Sequence, residues 1–266
     1  ITRFLGETGA GVIALEGSLR RAAITKARCR DLDNVTVISD HFERYAAAEK
    51  ADVIILTGVL EYSNLFMPGD HPDQELLKKV ASLLNENGKI FVAIENKLGL
   101  KYWAGAPEDH IGQAFYGLEN RYHQNSATTY GKEELDQLLK DSGFLYREFY
   151  FPFPDYKFPS VVLSEKSLDL PGFCIGNLIA PLVDSVQNKF YPGFTMHRVW
   201  TEVIRNKLTA ALSNSFLVIA GVSEARVIGD DVLGYAYSSS RQPEYAKENK
   251  FSIDHGKISV TRKKIH

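Results

Sequence analysis

Cysteine is scarce in this chain: its 266 residues hold two, Cys29 and Cys174. They have neither CxxC nor metal-ligand spacing, and so few thiols exclude a disulfide scaffold and point to a reducing compartment. An excess of either charge is also missing. Lys and Arg total 31 against 33 Asp and Glu, a formal net charge of -2, which sets aside an obligate nucleic-acid binder with its basic face. One short basic run, Arg262-Lys263-Lys264, reads as a solvated tail. No apolar run approaches the roughly 18 residues that span a bilayer, and the first residues do not resemble a signal peptide. Repeats and low-complexity tracts are absent. The expectation is a cytoplasmic chain, long enough to bury a substantial core.

What is present is an alternation of short apolar runs with helical patterns. Gly11 to Glu16 is strand-like and ends in an acid, and Ser18 caps a helix through Arg20, Arg21, Ile24 and Ala27. Val35 to Ser39 is a second strand, stopping at Asp40. Asp52 to Gly58 is a third, apolar on both faces as a central parallel strand should be. Asp73 caps the next helix, whose stripe is Leu76, Leu77, Val80, Leu83 and Leu84. Asn87-Gly88 ends it, and Lys89 to Glu95 is the fourth strand. This order predicts βαβ units and a mostly parallel, doubly wound sheet.

Residues 96 to about 130 carry little periodicity but many aromatic, polar and glycine residues, as a binding loop or lid does. A helix follows over Lys132 to Ser142, with Leu135, Leu138 and Leu139 inward and Gly143 closing it. Tyr146 to Phe151 is a strand broken by Pro152 and Pro154. A helical insertion is expected over about 168–212. Its first stripe is Leu178, Ile179, Leu182, Val183 and Val186, and its second is Val199, Val203, Ile204, Leu208 and Leu212. These stripes read as core or as a homodimer face. Phe216 to Ala220 is a late strand. Residues 223–266 read as a small β-rich C-terminal extension, with Asp254-His255-Gly256 as a turn before a strand over Lys257 to Thr261.

The ordered elements over 1–222 resemble class I S-adenosylmethionine-dependent methyltransferases, whose fold is Rossmann-like. In that family the second strand ends in an acid that binds the cofactor's ribose, and Glu16 takes that place. Ser39-Asp40-His41-Phe42 resembles the adenine-binding turn, with Asp40 accepting from the adenine amine and His41 or Phe42 flanking the ring. Phe42 reads equally well as core. Asp52 to Tyr62 is similar to the family's fourth strand and the turn after it, so Thr57 and Gly58 are expected to line the cofactor. Glu61 reads as structural or catalytic, and Tyr62 stands where the family often has histidine. Thr2 to Glu7 resembles the body of the family's first helix. The resemblance therefore implies that the first strand and its glycine loop lie upstream of Ile1, and that the chain as written holds the cofactor poorly.

A narrower resemblance runs through Glu95 to Gly105, Glu108-Asp109-His110 and Phe151 to Lys157. These segments look like methyltransferase modules of bacterial surface-polysaccharide pathways, which are often joined to glycosyltransferase domains. The resemblance implies O-methylation of a sugar or surface-polysaccharide precursor. The expected base is His110, oriented by Glu108 or Asp109, though a solvated acidic turn explains the same trio. Three adjacent residues seldom converge on one ion, so no metal is expected. Glu95, Asn96, Tyr102, Tyr150, Asp155, Tyr156 and Lys157 are expected to bind substrate, with Trp103 either joining them or packing in the core. Two other readings stay open. One is a methyltransferase-fold interaction module without catalysis, within a larger polysaccharide-assembly protein. The other is a nicotinamide-dependent sugar enzyme, against which stands the lack of a suitable YxxxK helix.

Overall fold

The structure is a computed structural model that describes residues 1–47, 49–182, 193–224, 228–238 and 242–265. Its first part holds α1 (Thr2–Glu7), β1 (Val12–Glu16), α2 (Leu19–Arg28) and β2 (Val35–Ser39). β1 and β2 pair in parallel as a two-stranded sheet. Ser18 caps α2 by accepting from Arg21 N at 3.4 Å, so the local chemistry of the sequence places this turn.

Next come β3 (Ala51–Thr57), α3 (Ser63–Phe66), α4 (Pro72–Leu83), β4 (Leu84–Glu95), α5 (Leu100–Trp103) and α6 (Lys132–Asp141). They are followed by β5 (Tyr146–Phe153), β6 (Val161–Ser164), α7 (Glu165–Leu168), α8 (Gly176–Ile179), α9 (Met196–Arg205) and α10 (Thr209–Leu212). The chain finishes with β7 (Ser215–Gly221), β8 (Val232–Tyr237), β9 (Lys247–Asp254) and β10 (Lys257–Lys264). Eight strands share one sheet in the order β10-β9-β8-β6-β5-β7-β4-β3.

This sheet is mixed, which corrects the expectation of a mostly parallel one. Among the described residues only β3 and β4 run in parallel within it, and every other neighbouring pair is antiparallel. Short connections such as β5–β6 and β9–β10 allow only antiparallel return, whereas a parallel pair needs a crossover such as α4. β8 to β10 extend the same sheet through β6. The β9–β10 hairpin turns at His255 and Gly256, both with positive φ, as a tight hairpin requires. The basic run Arg262-Lys263-Lys264 lies on the edge strand β10.

Several element boundaries differ from the sequence reading. β3 is an edge strand with one neighbour, and Val53 is 51% exposed rather than central. Pro72, not Asp73, opens α4, because a helix's first residue needs no N–H partner. Asp73 sits in the first turn and accepts from the Tyr130 hydroxyl at 2.9 Å. β4 begins at Leu84, and its register shifts against β3 between Ala51 and Val53, so Asn87-Gly88 lies inside the strand as a bulge. A Cβ on Gly88 would stand 2.9 Å from Ala51 O, a backbone approach open only to glycine. β5 continues through Pro152, which faces Val162 of β6. The β5–β7 ladder has already ended at Tyr150, so the missing donor falls where pairing is one-sided.

The insertion contains shorter helices than the stripes predict. Leu178 and Ile179 belong to α8, and Val199, Val203 and Ile204 to α9, while Val183 and Val186 lie outside the described residues.

The core follows strand alternation. Ile90, Val92 and Ile94 of β4, Phe149, Phe151 and Phe153 of β5, and Phe216, Val218 and Ala220 of β7 join one large cluster. Leu76, Leu77 and Val80 of α4, Leu135 and Leu139 of α6, and Met196, Trp200 and Val203 of α9 complete it. Intervening strand residues, among them Phe91, Tyr146, Tyr150, Leu217 and Ile219, form a smaller second cluster. The helices of the main cluster, α4, α6 and α9 among them, pack on the face that it covers, and α2 packs against the β1–β2 pair.

Candidate active site

The parallel pair β3–β4 ends side by side, with Thr57 opposite Ala93 and Gly58 N donating to Ala93 O at 3.0 Å. Chains leaving such ends diverge and open a crevice, the usual ligand position in α/β sheets. Gly58 has φ +64, and a Cβ there would lie 3.2 Å from Tyr156 Oη and 3.4 Å from Glu61 Oε1. The turn at Gly58 therefore lies close to both Glu61 and Tyr156, and Glu61 is held in place where its carbonyl accepts from Thr128 N at 2.8 Å.

Glu95, at the end of β4, is the hub. It is 1% exposed. Lys157 Nζ lies 2.6 Å from its Oε1, and the Tyr156 hydroxyl donates to the same oxygen at 3.3 Å. On its other side His110 Nε2 stands 3.5 Å from Oε2. His110 Nδ1 meets the Tyr62 hydroxyl at 2.9 Å. Lys157 also reaches Asp109 Oδ1 at 3.3 Å, and Lys101 Nζ holds Asp109 Oδ2 at 2.6 Å. The Tyr102 hydroxyl donates to that same oxygen.

Burial and charge pull these groups in different directions. Burial pushes the Glu61 carboxyl up to about 7, with the neighbouring Glu95 charge adding to the effect. Burial alone would raise Glu95 too, but the His110 and Lys157 contacts prevail and hold it below the ordinary carboxylate value. Asp109 is likewise buried, yet Lys101, Tyr102 and Lys157 lower it to about 2. His110 loses basicity through burial and regains more from Glu95, so its net shift is upward.

Expected site residues divide into groups. Glu95, Asp109, His110, Tyr102, Tyr156 and Lys157 are brought together. Asp155 shapes the same turn by accepting from Lys157 N at 2.8 Å. Glu108 does not orient the imidazole: its Oε2 accepts from the backbone N–H groups of His110 and Ile111 at 2.9 and 2.7 Å. Asp109 points to the lysines instead, so the ring is oriented by Tyr62 and Glu95. Asn96 does not face a substrate. It is fully buried, donates to Ala211 O and Ser213 O at 2.8 and 2.7 Å, and accepts from Leu98 N. Tyr150 lies in the second apolar cluster, because strand alternation turns it away from the Phe149 and Phe151 face. Trp103 is 53% exposed and donates to Leu98 O.

The remaining residues sit at the ends of the first strands. Glu16 Oε1 accepts from Ser18 N and Arg21 Nε at 3.1 and 3.0 Å. Asp40 Oδ1 accepts from His41 N at 2.7 Å. Phe42 packs on the main core beneath the Lys79 ammonium, and His41 is exposed. Tyr62 and Lys101 are the site residues that sequence reasoning missed. Their signal was the aromatic at the strand-end turn and the lysine eight residues before Asp109.

A cavity of about 400 Å³ adjoins His110 and Tyr62. Gln113, Tyr116, His123 and Asn125 line its other walls, and the Tyr116 hydroxyl pairs with His123 Nε2 at 3.0 Å.

No protein-family model and no curated protein sequence matches the chain. Solved structures do resemble it. A SAM-dependent methyltransferase of Thermotoga maritima, described as a possible histamine N-methyltransferase, is 15% identical over 83% of this chain and 76% of its own, with a TM-score of 0.44. PKMT2 of Rickettsia typhi is 11% identical over 84% of this chain and 47% of its own, at 0.46. The N-methyltransferase NodS of Bradyrhizobium japonicum is 12% identical over 51% and 56%, at 0.34. The chain thus spans about half the length of the latter two proteins. Likeness at these scores assigns neither a cofactor nor a reaction to it.

Proposed function

We propose that the protein transfers a methyl group from S-adenosylmethionine to a hydroxyl of a sugar or sugar-derived polymer. The observation that carries this reading is the carboxylate–imidazole–lysine cluster at the C-terminal ends of β3 and β4, packed on the turn at Gly58. Methyl transfer from a sulfonium is an in-line displacement, so positioning and exclusion of water supply most of the catalysis. A hydroxyl acceptor also has to lose its proton, and that task falls to the cluster around His110. Asp109 and Glu108 fix the loop that carries it.

In this reading Glu16 and Asp40 bind the ribose and adenine ends of the cofactor, and Thr57 and Gly58 line its middle. The acceptor occupies the cavity between Tyr62 and Tyr116, whose amide, imidazole and phenol groups suit a polyhydroxylated ring. Association with glycosyltransferase domains follows from the same proposal. Calorimetry with S-adenosylhomocysteine on the intact protein is the test. Micromolar binding that disappears in Glu16→Ala supports the reading. An absence of binding would remove it in favour of a non-catalytic interaction module.

A further inference from the structure

Glu61 and Glu95 are each 1% exposed, and the His110 side chain is 9% exposed. Each of the three brings one ligand-capable atom to within 4.8 Å of the other two. Each also keeps a buried atom without a hydrogen-bond partner: Glu61 Oε2, Glu95 Oε2 and His110 Nε2. Buried polar atoms are nearly always partnered. His110 Nε2 and Glu95 Oε2 face each other at 3.5 Å, and with the unpartnered Glu61 carboxylate close by, a cation held between them would satisfy all three groups.

The surrounding contacts already orient the ligands. Tyr62 holds His110 Nδ1 and so aims Nε2 at the carboxylates, while Lys157 occupies the far oxygen of Glu95. Fixing the outer ring nitrogen and the outer carboxylate oxygen is how second-shell contacts build a metal site.

We propose that Glu61, Glu95 and His110 form a binding site for one divalent transition-metal ion of the Mn²⁺ or Zn²⁺ class. Two carboxylates with an imidazole favour these ions over Mg²⁺ or Ca²⁺, which prefer all-oxygen shells. Metal–ligand bonds of about 2.0–2.2 Å require the three side chains to close slightly from their present spacing. With an ion in place His110 would be a ligand and its imidazole would no longer be free to take up a proton. The inference goes beyond the methyl-transfer reading and stands without it.

Electron paramagnetic resonance of Mn²⁺ added to the chelator-treated intact protein tests it. One ion is expected to bind per chain, with nitrogen hyperfine coupling from the imidazole in the pulsed spectrum. His110→Gln should lose that coupling, and Glu61→Gln should weaken binding by about tenfold or more. His255→Gln, an exposed imidazole in the β9–β10 turn, should alter neither. Circular dichroism reports folding, and if Glu61→Gln does not fold, the His110→Gln spectrum decides alone. Folded protein that binds no Mn²⁺ at millimolar concentration overturns the proposal, as does nitrogen coupling that survives His110→Gln. Calorimetry with S-adenosylhomocysteine keeps the two readings apart. Mn²⁺ binding without cofactor binding sinks only the methyl-transfer reading, and the reverse result sinks only the metal site.

Discussion

Tyr62 and His110, 48 residues apart in the chain, meet edge to face with ring centroids 5.1 Å apart and an interplanar angle of 83°. The hydroxyl of one reaches Nδ1 of the other at 2.9 Å. That contact and the facing Glu95 carboxylate together set which way the imidazole points, and the partly exposed Tyr62 also lines the cavity beside it.

Replacing Tyr62 by phenylalanine keeps the ring contact and removes that bond. Mn²⁺ affinity is expected to fall about 10–100-fold, the usual cost of losing an outer contact to a ligand. Stability should change by no more than about 1 kcal/mol, since the hydroxyl is near solvent. Titration by paramagnetic resonance beside urea unfolding checks both, and unchanged affinity would show that the ring needs no such support.

Lys157 and Glu95 are expected to be energetically coupled. Lys157→Met leaves the buried carboxylate without its closest cation and should cost about 2 kcal/mol, reduced from the fully buried case because the lysine is partly exposed. Adding Glu95→Gln should recover part of that loss. A double-mutant cycle of unfolding free energies measures the coupling, and strictly additive losses would contradict it.

Asn96 serves as a rivet between the end of β4 and the approach to β7. Asn96→Ala strips the partners from Ala211 O, Ser213 O and Leu98 N together. Abandoned buried polar groups cost about 1–3 kcal/mol each at most, so a total of about 3 kcal/mol is expected. Denaturant unfolding that moves by less than about 0.5 kcal/mol would show that these contacts do not hold the junction.

Phe216 stands at the centre of the sheet's main face, edge to face with Phe149 and Phe151 at 5.7 and 6.1 Å. Phe216→Ala should destabilise the protein by about 3–5 kcal/mol through lost burial and the cavity left behind. Val260→Ala on the exposed edge strand should cost under about 0.5 kcal/mol. Thermal unfolding of the two variants side by side tests whether the core lies on the face assigned to it.

Much of the secondary structure was legible because periodicity and caps are local. Ser18, Gly143 and the His255-Gly256 turn act where the sequence places them. The failures share one cause. Whether Asn87-Gly88 ends a helix or bulges a strand, and whether Pro152 breaks β5, depends on the neighbouring strand. The same holds for β3, whose apolar run is that of a central strand but which has one partner.

By itself the sequence determined the α/β alternation, the helix caps, the apolar faces and the set of residue types capable of chemistry near strand ends. Those follow from side-chain periodicity and from backbone preferences of single residues. Tertiary structure alone decided the mixed sheet, the burial of Asn96 and Tyr150, and the meeting of Glu61, Glu95, His110 and Lys157. Glu95 and Tyr156 lie 61 residues apart, and no local rule relates them. Their contact depends on strand order and on the loop path after β3, which are settled by packing the whole core at once.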